Sequence, residues 1–195
     1  MATRRPTAGA LLLTPGAGAD RTHHTLVAIE DAMAPLPCAR VDFPYRKAGK
    51  KAPDKAPIAV ASVVADAEAL VADAHIRANR LVLGGRSFGG RMCSMAVAEG
   101  LPAAGLVLLS YPLHPPGKPD RLRTEHFGAL DLPCLFVSGE RDPFGIPAEF
   151  DEAVAAIPGP VTQVWLPGGH DPRNADDAIA AAVATWLKSL STARR

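Results

Sequence analysis

No charge of one sign dominates this chain of 195 residues. Its 21 Lys and Arg stand against 20 Asp and Glu, a net +1. Binding to nucleic acid or to an anionic membrane through overall charge needs many neutralised phosphates or headgroups, so neither is expected. Cysteine is scarce: Cys38, Cys93 and Cys134 are an odd number, far apart, without C-x-x-C spacing. That pattern points away from a disulfide framework or a cysteine zinc site and toward a reducing, cytoplasmic compartment. Long apolar runs are missing too, since stretches such as Ala178 to Leu187 fall well short of the roughly 20 residues that cross a bilayer. At the N-terminus, Arg4 and Arg5, Thr7 to Leu13 and Ala17-Gly18-Ala19 imitate the parts of a secretory signal. The apolar part runs straight into Pro15-Gly16, however, and reads better as a buried strand closed by a turn. Neither an internal repeat at solenoid periods nor a low-complexity tail is found. With 48% hydrophobic residues and a length inside the range of about 100 to 200 residues per domain, a single globular domain over residues 1–195 is expected.

What the chain does have is a recurring unit. Short apolar runs lie at Ala10 to Leu13, Ala39 to Phe43, Leu81 to Gly84, Gly105 to Leu109, Cys134 to Val137 and Thr162 to Leu166, each closed by Gly, Pro or a polar turn. Most are followed by helical spacing: Leu26, Ile29 and Met33 share a face, as do Val60, Val63, Val64, Ala67, Leu70 and Val71, and later Ile179, Val183, Trp186, Leu187 and Leu190. Asp176 and Asp177 near the start of the last helix and Lys188 in its last turns suit the helix dipole. Continuous apolar strands alternating with amphipathic helices imply a parallel sheet covered on both faces, because each parallel return needs a crossover. The expected class is α/β, with a mostly parallel six-stranded sheet. The irregular stretches Pro44 to Pro57 and Tyr111 to Leu132 would follow strands and sit at the carboxyl edge, where open sheets bind ligands.

The segment Leu81 to Met92 carries the most information. An apolar strand turns at Gly85-Arg86-Ser87-Phe88-Gly89 into a helix whose Met92, Met95 and Ala96 share a face and whose end is marked by Gly100 and Pro102. This is G-x-S-x-G in the strand–turn–helix context it requires: a cramped turn pushes the serine oxygen into the open, so the flanking positions must lack bulk. A phosphate loop would need Lys and Ser or Thr where Arg91 and Met92 stand, and no G-x-G-x-x-G is complete around Gly84-Gly85-Arg86 or Gly16-Ala17-Gly18. A tight turn with an idle serine is the plain alternative.

A serine hydroxyl is a weak nucleophile until a base takes its proton, and the base needs an acid to hold its tautomer. Asp142, in Ser138-Gly139-Glu140-Arg141-Asp142-Pro143-Phe144, follows the fifth apolar run, and His170, in Pro167-Gly168-Gly169-His170-Asp171-Pro172, follows the sixth. The order Ser87, Asp142, His170 is therefore expected to be nucleophile, acid and base. Glu140 is the rival acid, less favoured by its position in the loop. Asp171 reads as a helix cap before Pro172. The remaining histidines have local explanations: His23 and His24 open a helix, His75 ends one, and His114 and His126 lie on the irregular loop. Cys93, two turns past the serine, lacks its own base. No His or carboxylate cluster has zinc-ligand spacing, so neither a metal nor a cofactor is expected. Acyl transfer also needs donors for a developing oxyanion. The Phe88 N–H, just after the serine, is one; Ala17, in the glycine loop Thr14 to Asp20, is the other, with Gly18 in reserve. A helix start capped by Asp20 is the alternative reading of that loop.

These stretches, together with Asp42-Phe43-Pro44-Tyr45-Arg46 and Tyr111-Pro112-Leu113-His114-Pro115-Pro116-Gly117-Lys118-Pro119, resemble the small α/β-hydrolases over nearly the whole chain. The similarity is to the dienelactone-hydrolase-like group, especially the compact branch that includes testis-expressed protein thirty and the third subunit of the NSL chromatin complex. The resemblance implies a minimal α/β-hydrolase fold and the same Ser87, Asp142 and His170 roles. It departs at Pro15, where many relatives carry His; proline has no N–H to donate. The superfamily's usual first two strands are missing, and Ser110 to Leu132 is too short for a large cap domain, so an open, shallow site is expected. The function expected is a serine hydrolase of a carboxylic ester or related small acyl substrate. Arg46, Lys47, Lys50, Lys51 and Arg86 near the mouth point to an anionic one. A non-catalytic protein-interaction domain on the same fold is the alternative.

Overall fold

The structure is a computed structural model that describes residues 8–192. Arg4, Arg5 and Thr7 of the signal-like pattern lie outside the described residues. In chain order the elements are β1 (Ala10–Thr14), α1 (His24–Met33), β2 (Cys38–Arg40), α2 (Pro44–Lys47), α3 (Ala56–Asp73), β3 (Leu81–Arg86), α4 (Phe88–Ala98), β4 (Gly105–Leu109), β5 (Cys134–Gly139), α5 (Pro147–Val154), β6 (Val161–Leu166) and α6 (Asp176–Thr192). The six strands form one sheet in the order β2-β1-β3-β4-β5-β6, and every pairing is parallel.

Strand pleating sorts the apolar residues between two cores. Ala10 and Leu12 of β1, Leu81 and Leu83 of β3, Leu106 and Leu108 of β4, and Phe136 of β5 face the side covered by α3 and α4. Their neighbours Leu11, Leu13, Val82, Val107, Leu109, Leu135 and Val137 face the side covered by α1 and α6. Because both faces are buried, these strands read as continuous apolar runs rather than as an alternation. The helical faces behave as their spacing requires: Leu26 and Ile29 of α1 and Val183 of α6 are fully buried, as are Val60, Val63 and Ala67 of α3 to within a few per cent.

Two expectations need correction here. The second strand ends at Arg40 instead of running to Phe43. Its partner β1 gives way to Pro15, which offers no N–H to continue a ladder; after a last bond from the Val41 N–H to the Leu13 carbonyl, the chain turns away. Phe43 then enters the core as the residue before α2, whose Pro44 sits in the first helical position. The stretch from Pro44 to Pro57 is accordingly not all irregular, since it contains α2 and the start of α3.

The strand order positions the site. The chain leaves β1 toward β2 on one side and returns to β3 on the other, so the loops after β1 and β3 diverge across a switch point, where a crevice opens at the carboxyl ends of the strands.

Candidate active site

The turn from β3 into α4 is compressed by design of its sequence. A side-chain carbon on Gly85 would overlap Thr14 Oγ1 and lie 2.6 Å from the Gly90 nitrogen; one on Gly89 would lie 2.5 Å from the Pro15 carbonyl oxygen and 2.7 Å from that of Thr14. Only glycine permits the approach. Between them Ser87 adopts φ 50°, ψ −114°, a region that side-chain-bearing residues occupy at a cost of about 1–3 kcal/mol. Its N–H donates to the Leu109 carbonyl and its carbonyl accepts the Arg91 N–H, so the strain is held from both sides. Phe88 is the first residue of α4, and its N–H is one of the amides a helix start leaves without an internal acceptor.

Asp142 and His170 arrive from the ends of β5 and β6, which lie beyond β4 in the sheet. His170 follows β6 through Gly168, whose φ of 131° suits glycine and whose carbonyl accepts the Arg141 N–H at 2.8 Å. His170 Nε2 lies 2.9 Å from Ser87 Oγ, and His170 Nδ1 lies 2.8 Å from Asp142 Oδ2. Asp142 is 1% exposed, and its second oxygen accepts the Phe144 N–H at 2.9 Å. An ionised carboxylate only accepts, so Nδ1 carries the imidazole proton and Nε2 presents its lone pair to the hydroxyl. The Phe144 ring lies 4.2 Å from the imidazole, centroid to centroid, and restricts its rotation.

The loop after β1 folds over the same point. The Gly16 carbonyl accepts the Ala19 N–H at 3.1 Å in a turn centred on Ala17 and Gly18, and the Tyr45 hydroxyl donates to the Ala17 carbonyl at 2.8 Å. A side-chain carbon on Gly16 would stand 3.6 Å from Ser87 Cβ. Ala17, Ser87 and His170 line one cleft of about 400 Å³, together with Arg86 and Phe144. Pro15 leaves the loop intact. Its carbonyl is the surface on which Gly89 rests.

The rival residues separate clearly. Glu140 is exposed, and its N–H donates to the Leu166 carbonyl. Cys93 is fully buried against Thr14 Oγ1 at 3.4 Å, and burial pushes its thiol up to about 12, away from thiolate chemistry. His126 shares a 2.7 Å hydrogen bond with Ser94 Oγ, and burial drives its pKa down to about 4. His114 pairs with Glu149 at 3.2 Å. Asp171 is not a helix cap, because α6 begins only at Asp176. Its carboxylate instead meets Arg86 Nη2 at 2.9 Å, and the same Nη2 donates to the His170 carbonyl at 2.9 Å. Arg86 thus latches the His170 loop to the serine turn. Asp20 does not cap α1 either: it accepts the Thr22 N–H and hydroxyl, hydrogen bonds that hold its carboxyl below the usual range, while His23 Nδ1 takes the cap position through the Thr25 N–H. Of the expected basic residues, Arg46 pairs with Asp20 and Lys47 with Asp66.

Two features escaped sequence reasoning. Tyr45 and Phe144 act on the site through contacts between loops, which no local motif encodes, and Arg86, expected at the mouth as a basic residue for an anionic substrate, is instead engaged by Asp171 and the His170 carbonyl. His23, His24 and Asp171 also come together, with one ligand-capable atom from each within 4.8 Å of the others. His23 and His24 are adjacent but Asp171 is far along the chain, so no zinc-ligand spacing marks the group in the sequence.

Residues 7–187 match a family described as alpha/beta hydrolase domain. Among solved structures, a hydrolase of the alpha/beta superfamily from Xanthomonas campestris is similar at a TM-score of 0.70 and 19% identity, over 93% of this chain and 99% of that one. Est1E from Butyrivibrio proteoclasticus is similar at 0.74 and 15%, over 99% and 93%. The dienelactone hydrolase from Anabaena variabilis gives 0.73 and 18%, over 94% and 88%. At such identities these likenesses speak for the shared fold.

Proposed function

The chain belongs to the alpha/beta hydrolase family, and from that premise we propose that it is a serine hydrolase, a single domain that cleaves a carboxylic ester or related small acyl substrate through an acyl-enzyme. The observation that carries the reading is the unbroken run of hydrogen bonds from Asp142 through His170 to Ser87. His170 Nε2 takes the hydroxyl proton as Ser87 Oγ attacks the acyl carbon, and Asp142 steadies the imidazolium. The N–H groups of Phe88 and Ala17 receive the oxyanion. His170 then protonates the leaving alcohol, and water repeats the sequence to free the acid. An idle serine would have no need of φ 50°, nor of a buried carboxylate aligned behind its base.

The size of the cleft, about 400 Å³, and the lack of a large cap among the described residues favour small acyl groups over long chains. Dienelactone hydrolase among the similar structures supports the same class. The motifs around Asp42 and Tyr111 support placement in the compact branch named above, and three unpaired thiols fit a reducing, cytoplasmic setting. The test is turnover of p-nitrophenyl acetate and butyrate by wild type and Ser87→Ala. The variant is expected to lose roughly six orders of magnitude in kcat, and long-chain esters are expected to be poor substrates. Turnover by Ser87→Ala close to the wild-type rate would refute the proposal, and inertness of the folded wild type toward acyl compounds would favour the interaction-domain alternative.

A further inference from the structure

We propose that His23, His24 and Asp171 form a binding site for a divalent transition-metal ion of the zinc class at the lip of the cleft, and that its occupation slows the enzyme. The three side chains already bring ligand-capable atoms within 4.8 Å of one another, and small movements of an exposed loop close such a set to metal-ligand distances of about 2.0–2.2 Å. In a regular helix two consecutive side chains diverge, but His23 precedes α1 with φ −52°, ψ 128° while His24 is its first residue. This break in the backbone lets the two rings stack, 4.3 Å between centroids and 27° between planes.

A built partner stands behind the more exposed ring. His24 Nδ1 lies 2.6 Å from Asp176 Oδ2, and the other oxygen of Asp176 accepts the Thr25 hydroxyl at 2.7 Å. Metal-binding histidines characteristically donate their second N–H to a carboxylate in this way, which fixes the ring and leaves the remaining nitrogen for the ion. His23 offers Nε2, 4.0 Å from Asp171 Oδ1. Its Nδ1 accepts the Thr25 N–H at 3.3 Å, so coordination through Nε2 moves the ring proton to Nδ1 and gives up that long contact. Asp171 is shared with Arg86. These two concessions keep the site weaker than a structural zinc centre, as suits a reversible ligand.

The concession at Asp171 also couples the site to the chemistry. A cation that claims the Asp171 carboxylate withdraws it from Arg86, whose guanidinium holds the His170 carbonyl. The inhibitory part therefore rests on the serine-hydrolase reading, whereas metal binding stands without it.

The experiment is calorimetric titration of the full-length protein with zinc, in wild type, His24→Ala and Asp176→Asn, alongside p-nitrophenyl acetate turnover with and without zinc. Wild type is expected to bind a single zinc ion per chain saturably. His24→Ala and Asp176→Asn are expected to bind roughly ten- to hundredfold more weakly, and His24→Ala, which lies outside the cleft, to turn over ester at the wild-type rate without zinc. Zinc is expected to slow wild type and to spare His24→Ala at the same concentration. Absence of saturable binding in wild type, or equal affinity in His24→Ala, overturns the site. Binding at His24 with unchanged wild-type turnover overturns the inhibitory coupling. Failure of ester turnover with zinc binding intact would count against the hydrolase reading alone.

Discussion

Tyr45 is 1% exposed, and its hydroxyl spends its proton on a carbonyl of the loop that faces Ser87. The peptide after Ala17 is held by that bond, and the peptide before it by the Ala19 N–H on the Gly16 carbonyl. With both planes fixed, the Ala17 N–H, opposite the Gly16 carbonyl in a trans peptide, has a set direction before substrate arrives. In the proposed mechanism, a preorganised donor of this kind acts on the transition state more than on substrate binding. A net hydrogen bond contributes about 1 kcal/mol, so Tyr45→Phe is expected to lower kcat roughly fivefold with KM nearly unchanged; steady-state kinetics on p-nitrophenyl acetate check this, and a change confined to KM would assign Tyr45 to binding instead. At this scale Ser87, Asp142 and His170 were legible because each is punctuated locally, by glycines, by a Pro-Phe turn and by a Gly-Gly approach. The contacts of Tyr45 and Phe144, and the latch that Arg86 makes to Asp171 and the His170 carbonyl, were not, because they join loops whose proximity only the finished sheet creates.

Glycines decide the element that matters most. The α4 start lies directly on Thr14 and Pro15: a side-chain carbon on Gly89 would meet both of their carbonyl oxygens and the Thr14 Oγ1, which is itself held by the Gly84 carbonyl. Gly89→Ala is therefore expected to cost about 1–3 kcal/mol or more as overpacking and to lower the thermal midpoint by roughly 2–4 °C per kcal/mol. Gly18→Ala, whose added carbon meets nothing within 4 Å, serves as the control and is expected to melt with wild type. Equal midpoints for the two variants would contradict the packing described here. The elements with long periodic faces, α1, α3 and α6, were readable from spacing alone. The short α2 was hidden, since four residues beginning with Pro44 contain too little periodicity to distinguish a helical turn from a loop. The early end of β2 was hidden for a different reason: Phe43 is apolar enough to extend a strand, but its burial comes from packing its ring 5.1 Å from that of Phe88.

At the scale of the whole molecule, the parallel sheet brings three strand ends, those of β3, β5 and β6, to one edge, and the reversal of strand order beside β1 leaves room there for a cleft. Alternating apolar strands and amphipathic helices were enough to infer this class, because a parallel sheet is the arrangement that buries both faces of such strands. The convergence of Ser87, Asp142 and His170 follows from topology. The most direct test is the site of covalent modification: the protein is treated with a fluorophosphonate, digested, and the labelled peptide identified by mass spectrometry, in wild type, Ser87→Ala and His170→Ala. One adduct on Ser87 is expected in wild type, none in Ser87→Ala, and a greatly slowed reaction in His170→Ala. An adduct on another residue, or labelling of Ser87 at an undiminished rate without His170, would show that the hydroxyl is not activated by the imidazole beside it.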